Sequence, residues 1–229
     1  MTKLLFFAFA VFMGFEAALA RVEAEVFQAS AYDLRPTQAV VGLASVRLKA
    51  RDLGELDKQD RIKYLRKHPV PVVLGPEGEM YMIDHHHMTR ALILSGHHKL
   101  FVMIVADWSS MKPEAFWERL EKKKWTYLFD ARGEPITPEM IPRDIRALKD
   151  DPYRSLAYFA RENGAFQKLG VPFAEFHWAA YYRENIPDVP SRRPDPELLR
   201  RAFHLSQRPE AAHLPGARNL KCESLFLKR

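Results

Sequence analysis

The sequence predicts an α+β fold, in which a small mixed sheet is covered by a helical C-terminal half. Two observations predict this fold, and a third excludes a cysteine-based framework. The 229 residues are 47% hydrophobic, which suits a globular core. Residues 32–107 mix strand-like and helical patterns, whereas residues 112–185 contain only helical ones. The single cysteine, Cys222, excludes an intramolecular disulfide framework and a cysteine-rich metal site.

Residues 1–20 have the layout of a secretory signal peptide. Lys3 precedes an apolar run over residues 4–15, and small residues at 18 and 20 stand where a signal peptidase cleaves. The run is shorter than the roughly 20 apolar residues that span a bilayer. We therefore expect a periplasmic or secreted protein. An uncleaved membrane anchor and a buried N-terminal helix are the alternatives.

The elements of the first half follow from hydrophobic periodicity and turn residues. Glycine and proline at 75–78 predict the turn of a hairpin, and Gly96 predicts the end of a helix. In chain order we expect a strand over 40–48, a helix over 55–67, hairpin strands over 70–74 and 80–83, a helix over 86–95 and a strand over 100–106.

Proline at a first helical position predicts several of the later elements, because its fixed φ suits that position. In chain order we expect helices over 113–124, 138–149, 152–163 and 172–185. The predicted domain covers residues 21–190 and packs its helical half onto the sheet.

Residues 191–229 are predicted to form a basic, proline-rich tail with one short helix over 196–207. This segment holds nine Lys or Arg residues and four Asp or Glu residues, so it carries most of the formal net charge of +6. Such a tail can be a solvated extension or can contact phosphate or another anionic surface. Both interpretations stay open at this point.

The most informative segment begins at Asp84, where a strand delivers a run of polar residues to the start of a helix. Helix N-termini hold anions, phosphate above all, because their backbone N–H groups are unpaired. Asp84 could cap this helix, hold a divalent cation or orient a histidine. An imidazole here could act as a general base, bind a metal or contact a phosphate. The candidate catalytic residues are Asp84, His86 and His87, and the candidate phosphate-binding residues are His85, Thr89 and Arg90.

A second candidate block lies in the helical half, at Arg154, Glu175 and His177. In one interpretation Glu175 pairs with Arg154 or Lys168 beside an aromatic core. In the other, Glu175 or His177 completes the pocket that Asp84 begins. Glu175 and His177 are two residues apart, so they cannot share one helix face.

Three blocks of the chain together resemble a known family. The strand, Asp84-His85-His86-His87 and then Arg90-Ala91-Leu92 resemble the Asp-Gly-His-His-Arg-type signature of the ParB/sulfiredoxin superfamily, in particular its ParB-like nuclease branch. Residues 34–38 followed by Val41-Gly42 are similar to the opening strand of that branch. Residues 151–155 and 172–178 also resemble it. The resemblance covers about residues 30–186 and implies a small ParB/sulfiredoxin-like sheet and a nuclease.

The departures from that signature narrow the implied function. His85 stands where the signature has glycine, and Met88 stands where it has an arginine that clamps phosphate. Arg90 or His87 are the possible substitutes. His86 stands where sulfiredoxins have their catalytic cysteine, so that chemistry is excluded. Gln38 stands where the free-serine kinases of the superfamily have an acidic base, and no helix-turn-helix DNA reader follows.

We therefore expect a metal-dependent nuclease or phosphodiesterase. A divalent ion, Mg²⁺ or Mn²⁺, would be held by Asp84 and Glu175, and the partner of the protein would be nucleic acid or a phosphorylated small molecule. The first alternative is a non-catalytic binding protein for a phosphorylated or anionic ligand. A further alternative is an ATP-dependent small-molecule kinase.

Overall fold

A computed structural model describes residues 26–218. The predicted signal peptide, residues 1–20, and the end of the basic tail with Cys222 lie outside the described residues. Within residues 26–218 no helix is long and apolar enough to cross a membrane.

The fold is α+β, as expected. Its strands are β1 (Val26–Ser30), β2 (Leu34–Pro36), β3 (Val40–Val41), β4 (Val70–Leu74), β5 (Met80–Met82), β6 (Lys99–Asp107) and β7 (Lys149–Asp150). The main sheet has five strands in the order β1-β6-β4-β5-β2. Strand β6 pairs antiparallel with β1 and parallel with β4, and β5 pairs antiparallel with β4 and parallel with β2. A separate parallel pair joins β3 and β7.

Seven α-helices lie within the described residues, three in the sheet-containing half and four after it. They are α1 (Leu43–Glu55), α2 (Lys58–Lys67), α3 (His86–Leu94), α4 (Pro113–Lys122), α5 (Pro152–Glu162), α6 (Ala174–Asn185) and α7 (Pro196–Ser206). The predicted hairpin of β4 and β5, the helix α3 and the strand β6 are confirmed. The predictions for α4, α5, α6 and α7 are confirmed to within two residues at each end.

The predicted strand over 40–48 is wrong, because the strand β3 ends at Val41 and helix α1 begins at Leu43. Val46, Ala50 and Leu53 recur at helical spacing and are buried in the core. The β-branched residues at 40–41 suggested a longer strand than the chain forms. The predicted helix over 55–67 is confirmed as α2, which begins three residues later than expected because Asp57 caps it by accepting a hydrogen bond from the Asp60 N–H (2.8 Å).

The predicted helix over 138–149 is also wrong. The chain forms only two 3₁₀ turns there, Pro138–Met140 and Ile145–Ala147, followed by β7. Pro142 explains the break, because the residue before a proline is driven out of the helical region. Ile141 accordingly has an extended backbone, with φ −72° and ψ 125°.

The two larger of four hydrophobic clusters among the described residues lie between the sheet, α1 and α3 and among α5, α6 and α7. Trp178 and Tyr182 are fully buried in the helical core, and Trp178 Nε1 donates to the Pro215 carbonyl (2.8 Å). Ala202 and Leu205 of α7 are buried in the same core. The first part of the segment predicted as a basic tail therefore packs on the helical half.

The two halves meet where α1 and α5 begin. A Cβ built at Gly42 would lie 2.6 Å from both the backbone nitrogen and Oγ of Ser155. Only glycine permits this approach, because any side chain would overlap the backbone of α5. The close contact places the first turns of α1 and α5 next to the start of α3.

Candidate functional site

The segment between β5 and α3 turns through a left-handed residue. His85 has φ 65° and ψ 19°, a conformation that favours glycine, and it is the residue before the first residue of α3. The position is the one at which the signature described above carries glycine. Asp84 Oδ1 accepts a hydrogen bond from the His85 N–H (2.6 Å), so Asp84 holds this turn.

Helix α3 begins without a cap. No side chain caps it, and its first backbone hydrogen bond runs from the Thr89 N–H to the His85 carbonyl (2.9 Å). The N–H groups of the three preceding residues, 86–88, therefore have no acceptor among the described residues. The idea that Asp84 caps the helix is wrong, because its carboxylate is bonded to the His85 N–H instead. An open helix start of this kind favours an anion.

The imidazoles of His86 and His87 face the segment that leads into α1. His86 Nε2 accepts the Thr37 N–H (3.1 Å), and His87 Nε2 accepts the Gly42 N–H (3.0 Å). Burial lowers the pKa of His86 to about 3, and burial together with the charge of Arg154 lowers the pKa of His87 well below its usual value. Both imidazoles are therefore neutral at pH 7, and each carries its proton on Nδ1.

Arg154, on the first turns of α5, supplies a buried positive charge to the same region. Arg154 is 8% exposed, and its guanidinium lies 5.1 Å from the ring centre of Phe176. Nη2 is 3.5 Å from Glu175 Oε2, whereas Nε and Nη1 are buried without a hydrogen-bond partner among the described residues. Burial lowers the pKa of Arg154. His87 accepts a hydrogen bond from Gly42, and Gly42 packs against Ser155, the residue that follows Arg154, so the first turn of α5 lies near the start of α3.

Glu175 joins Arg154 in this region through ion pairs with two arginines. Besides Arg154, it pairs with Arg161, whose Nε lies 3.1 Å from Glu175 Oε1. Burial alone would raise the pKa of Glu175, yet the two arginine charges leave it below its ordinary value. The pairing of Glu175 with Arg154 is thus confirmed. His177 is exposed and lies near Lys124, so the structure does not bring it to the cluster.

The remaining candidates of the signature lie on two sides of α3. Arg90 is half-buried and feels the charges of Asp144 and Arg146, which are on the turn before β7. It is therefore not grouped with Arg154. Thr89 is fully buried, and its Oγ1 has no hydrogen-bond partner among the described residues.

The residues do not fit a divalent cation held by the protein alone. Asp84 is exposed and bonded to the His85 N–H, and Glu175 is shared by two guanidinium groups that would repel a cation. Within residues 26–218 no group of three or more His, Cys, Asp or Glu side chains could hold a metal ion. The divalent ion stays a prediction.

Two cavities lie elsewhere on the described residues. One, of about 560 Å³, is an open groove lined by Arg35, Glu79, Trp117 and Arg143 among others, and one of about 470 Å³ lies beside α7. None of the predicted site residues lines either of them. The region around α3 is instead marked by its unpaired donors, and buried donors without partners are uncommon in native proteins.

Two residues of this region were missed by sequence reasoning. Lys49 of α1 lies with its Nζ 5.9 Å from the ring centre of Tyr158, and its charge lowers the pKa of His85 and His87. Arg161 pairs with Glu175 as described above. The spacing of Arg154, Tyr158 and Arg161, at i, i+4 and i+7, was the available signal, since it places them on one face of α5.

Comparisons with known proteins agree with this architecture. Residues 27–184 match the protein family described as "Putative ParB-like nuclease". Among solved structures, the chain is similar to protein Atu1540 from Agrobacterium tumefaciens, with 35% sequence identity and a TM-score of 0.78, over 85% of this chain and 98% of that one. No curated protein matches the chain.

Proposed function

The chain belongs to the ParB-like nuclease family, and from that premise we propose that it cleaves phosphodiester bonds in nucleic acid. The phosphate would sit between the open start of α3 and the guanidinium of Arg154. The observation that carries this proposal is the buried Arg154, whose Nε and Nη1 have no partner beside a helix start whose N–H groups are also open. Hydrogen bonds from a charged donor to phosphate are about twice as strong as neutral ones.

The groups around this point are suited to hold a phosphate. Arg154 supplies a positive charge, and the N–H groups of residues 86–88 supply backbone donors. His87 adds its Nδ1–H as a fixed donor, because the Gly42 N–H occupies Nε2. The negative charge of Asp84 interacts with the positive charge of Arg154, and the Asp84 carboxylate would accept a proton from the attacking water.

The experiment compares two arginine variants of the full chain. Arg154→Gln and Arg90→Gln would be incubated with single- and double-stranded DNA and RNA, with Mg²⁺, Mn²⁺ or a chelator. We expect Arg154→Gln to lose about 10²–10³-fold in cleavage rate, as for loss of one transition-state donor, while Arg90→Gln stays near the wild type. Full cleavage activity in Arg154→Gln would show that the phosphate does not bind at Arg154. Loss of cleavage in Arg90→Gln alone would show that Arg90, the candidate from the sequence, binds the phosphate.

The chelator arm addresses the predicted metal. If a divalent ion takes part, cleavage stops in chelator and returns with Mg²⁺ or Mn²⁺. A substrate phosphate can complete the coordination of such an ion, since Mg²⁺ uses few protein carboxylates and several waters. Cleavage that continues in chelator would instead show that the side chains of the protein catalyse the reaction without a divalent ion.

A second function has its own supporting observation. Because His86 and His87 are neutral and their Nε2 atoms are occupied, neither is free to shuttle a proton at pH 7. A non-catalytic protein that binds a phosphorylated ligand would need no such group. Phosphate binding that Arg154→Gln abolishes, together with no cleavage of any nucleic acid by the wild type, would favour this function.

Export is part of the proposal and has a separate test. The full-length gene product would be recovered from the periplasmic fraction and the culture medium, and its intact mass measured. A mature protein that begins at residue 21 is expected. A full-length mass in the cytoplasmic fraction would contradict export and would favour the ATP-dependent kinase among the alternatives.

A further inference from the structure

The cavity beside α7 is lined mainly by basic side chains. Its volume is about 470 Å³, and its charged and polar lining residues are Asn185, Glu197, Arg200, Arg201, His204 and Arg208. All but the first belong to α7 or follow it closely, at steps of three or four residues, which place them on one face of that helix. The residues that the proposed function uses, around α3 and on α5, are not among them.

The opposite face of α7 is fixed to the helical core. Ala202, Leu205 and Ser206 are buried there. The Tyr181 hydroxyl donates to the Leu205 carbonyl (3.1 Å), and the hydroxyls of Tyr182 and Ser206 are hydrogen-bonded to each other (2.6 Å). The arginines therefore project from a packed helix. Because the apolar face of α7 is used in this packing, it is not available to insert into a membrane.

The lining of this cavity carries a net positive charge. Three guanidinium groups stand against one carboxylate, that of Glu197, which pairs with Arg200. The C-terminal ends of α6 and α7 also lie here, and each contributes roughly half a negative charge. The sum stays positive by about one charge, so the cavity favours an anion.

Two of the arginines are available to contact that anion. Arg201 Nη2 donates to the Asn185 carbonyl (3.0 Å), which fixes this guanidinium at the cavity wall. Within residues 26–218 neither Arg201 nor Arg208 forms an ion pair with a carboxylate. Both residues are exposed, so a ligand reaches them without a change of fold.

The spacing of these two arginines indicates a ligand with more than one anionic group. Arg201 and Arg208 are about two helical turns apart, or about 10 Å along the axis. Successive phosphates of a nucleic acid strand form a row of charges of that kind, whereas a single phosphate is compact. The planar donor groups of arginine also match the oxygen atoms of phosphate in a bidentate manner.

We infer that this face of α7 is a second anion site, which binds the sugar-phosphate backbone of a nucleic acid strand through Arg201 and Arg208. The choice of nucleic acid as the ligand rests on the proposed function, but the two sites share no residue. Contacts to the backbone position a strand without reading its sequence. The α7 site therefore adds affinity for the substrate and takes no part in the cleavage of the bond.

The test measures binding of a fluorescent single-stranded oligonucleotide to the full chain, with chelator present. The double variant Arg201→Gln/Arg208→Gln should bind about tenfold more weakly, because two charge-assisted contacts are lost. The slope of log K against log salt concentration should also fall, by about 0.7 for each arginine. An unchanged affinity and slope in the double variant overturn the inference.

Two single variants separate the cavity from the charge of the basic segment as a whole. Arg192→Gln removes an exposed arginine of the same segment that does not line the cavity, so it should bind as the wild type does. Glu197→Gln should strengthen binding, because it removes the carboxylate of the lining and releases Arg200. A loss in Arg192→Gln equal to that of the double variant, or weaker binding by Glu197→Gln, overturns the inference.

Arg208→Gln alone keeps the test decisive if the double variant does not fold. Thermal denaturation without ligand shows which variants are folded. The single variant should lose about half of the expected change in log K and about 0.7 of the salt slope. Wild-type affinity in folded Arg208→Gln overturns the role of Arg208.

Vesicles of anionic phospholipid are the competing probe, because basic surfaces also bind anionic membranes. Vesicle binding that the double variant loses, while it keeps its affinity for the oligonucleotide, would assign the site to a membrane and overturn the inference. Oligonucleotide binding that the double variant loses, with no binding of the wild type to vesicles, supports it.

The inference and the proposed function fail separately. If the wild type cleaves nucleic acid, the double variant should raise KM about tenfold and leave kcat unchanged, whereas Arg154→Gln should lower kcat. An unchanged KM in the double variant would overturn the inference and leave the nuclease standing. If the wild type cleaves nothing, the proposed function fails, and oligonucleotide binding that depends on Arg201 and Arg208 still supports the α7 site.

Discussion

The starts of α1 and α3 lie side by side, but within residues 26–218 the backbone N–H groups have acceptors at α1 and lack them at α3. At α1, the N–H groups of Gly42, Leu43 and Ala44 donate to His87 Nε2 (3.0 Å), Asp150 Oδ1 (2.7 Å) and Ser155 Oγ (3.2 Å). At α3, no side chain caps the helix and the first N–H groups have no protein acceptor among the described residues.

The difference separates structure from function within one region. The acceptors at α1 come from two distant parts of the chain, His87 and residues 150–155, so that helix start joins the two halves of the fold. Since buried donors are nearly always satisfied, the open start of α3, together with the two unpartnered nitrogen atoms of Arg154, is the position at which we propose that a ligand binds. Substitutions at the start of α1 should therefore change the stability of the fold, and substitutions at the start of α3 should change ligand binding.

The largest expected effect is acid destabilisation through His86, which accepts from the segment before α1. Burial lowers the pKa of His86 from 6.5 to about 3, so the unfolded chain binds a proton that the folded chain does not. This stability is fully present above pH 6.5 and is lost as the pH falls toward 3, by on the order of 4 kcal/mol. Urea unfolding between pH 7 and pH 4 measures it.

His86→Gln is the matched variant for that measurement. Glutamine offers a carbonyl oxygen to the Thr37 N–H and does not titrate. The variant should therefore lose less stability than the wild type over the same pH range. An identical pH dependence in both proteins would assign the acid loss to other groups.

The next effect comes from the contact between α1 and α5. Gly42→Ala should destabilise the fold by about 1–3 kcal/mol, because the new Cβ overlaps the Ser155 backbone at 2.6 Å. Gly54→Ala is the control in the same helix, since its Cβ would meet nothing closer than 3.9 Å. The control should gain about 0.5–1 kcal/mol from helix propensity. Chemical denaturation that ranks the two variants equally would refute the close approach.

A smaller effect is expected at the acceptor of the Leu43 N–H. Asp150→Ala should cost about 1–2 kcal/mol, as for loss of a helix cap. Asp150→Asn keeps an acceptor oxygen and places an amide where Oδ2 is buried without a partner, so it should stay closer to the wild type. The midpoints of urea unfolding for the two variants decide this, and a larger loss in Asp150→Asn would speak against the cap.

The smallest effect concerns the strained residue before α3. His85→Gly should raise stability by up to about 1 kcal/mol, because the left-handed φ of 65° is unfavourable for any residue with a Cβ. The open N–H groups remain, so the affinity for phosphate should not change. Calorimetry with inorganic phosphate measures the second part. A large loss of affinity would show that the His85 side chain itself contacts the anion.

The sequence predicted the secondary-structure elements around the candidate site better than it predicted which side chains meet there. The helix start after β5, the hairpin before it and the helical half all follow from local patterns that the structure confirms. The pairing of Glu175 with Arg154 was one of two interpretations of the second block. The strand over 40–48 and the helix over 138–149 failed where a distant contact or a proline overrode the apolar pattern.

What the sequence determined by itself is the order of elements, the position of α3 and the membership of a family. Those features depend on periodicity, turn residues and short motifs, which act between neighbours in the chain. Only the tertiary structure decided which helix start is capped, that His86 and His87 accept hydrogen bonds from the backbone before α1, and that Arg154 rather than Arg90 is the arginine whose charge acts on His87. These depend on contacts between residues far apart in sequence, which local patterns do not encode.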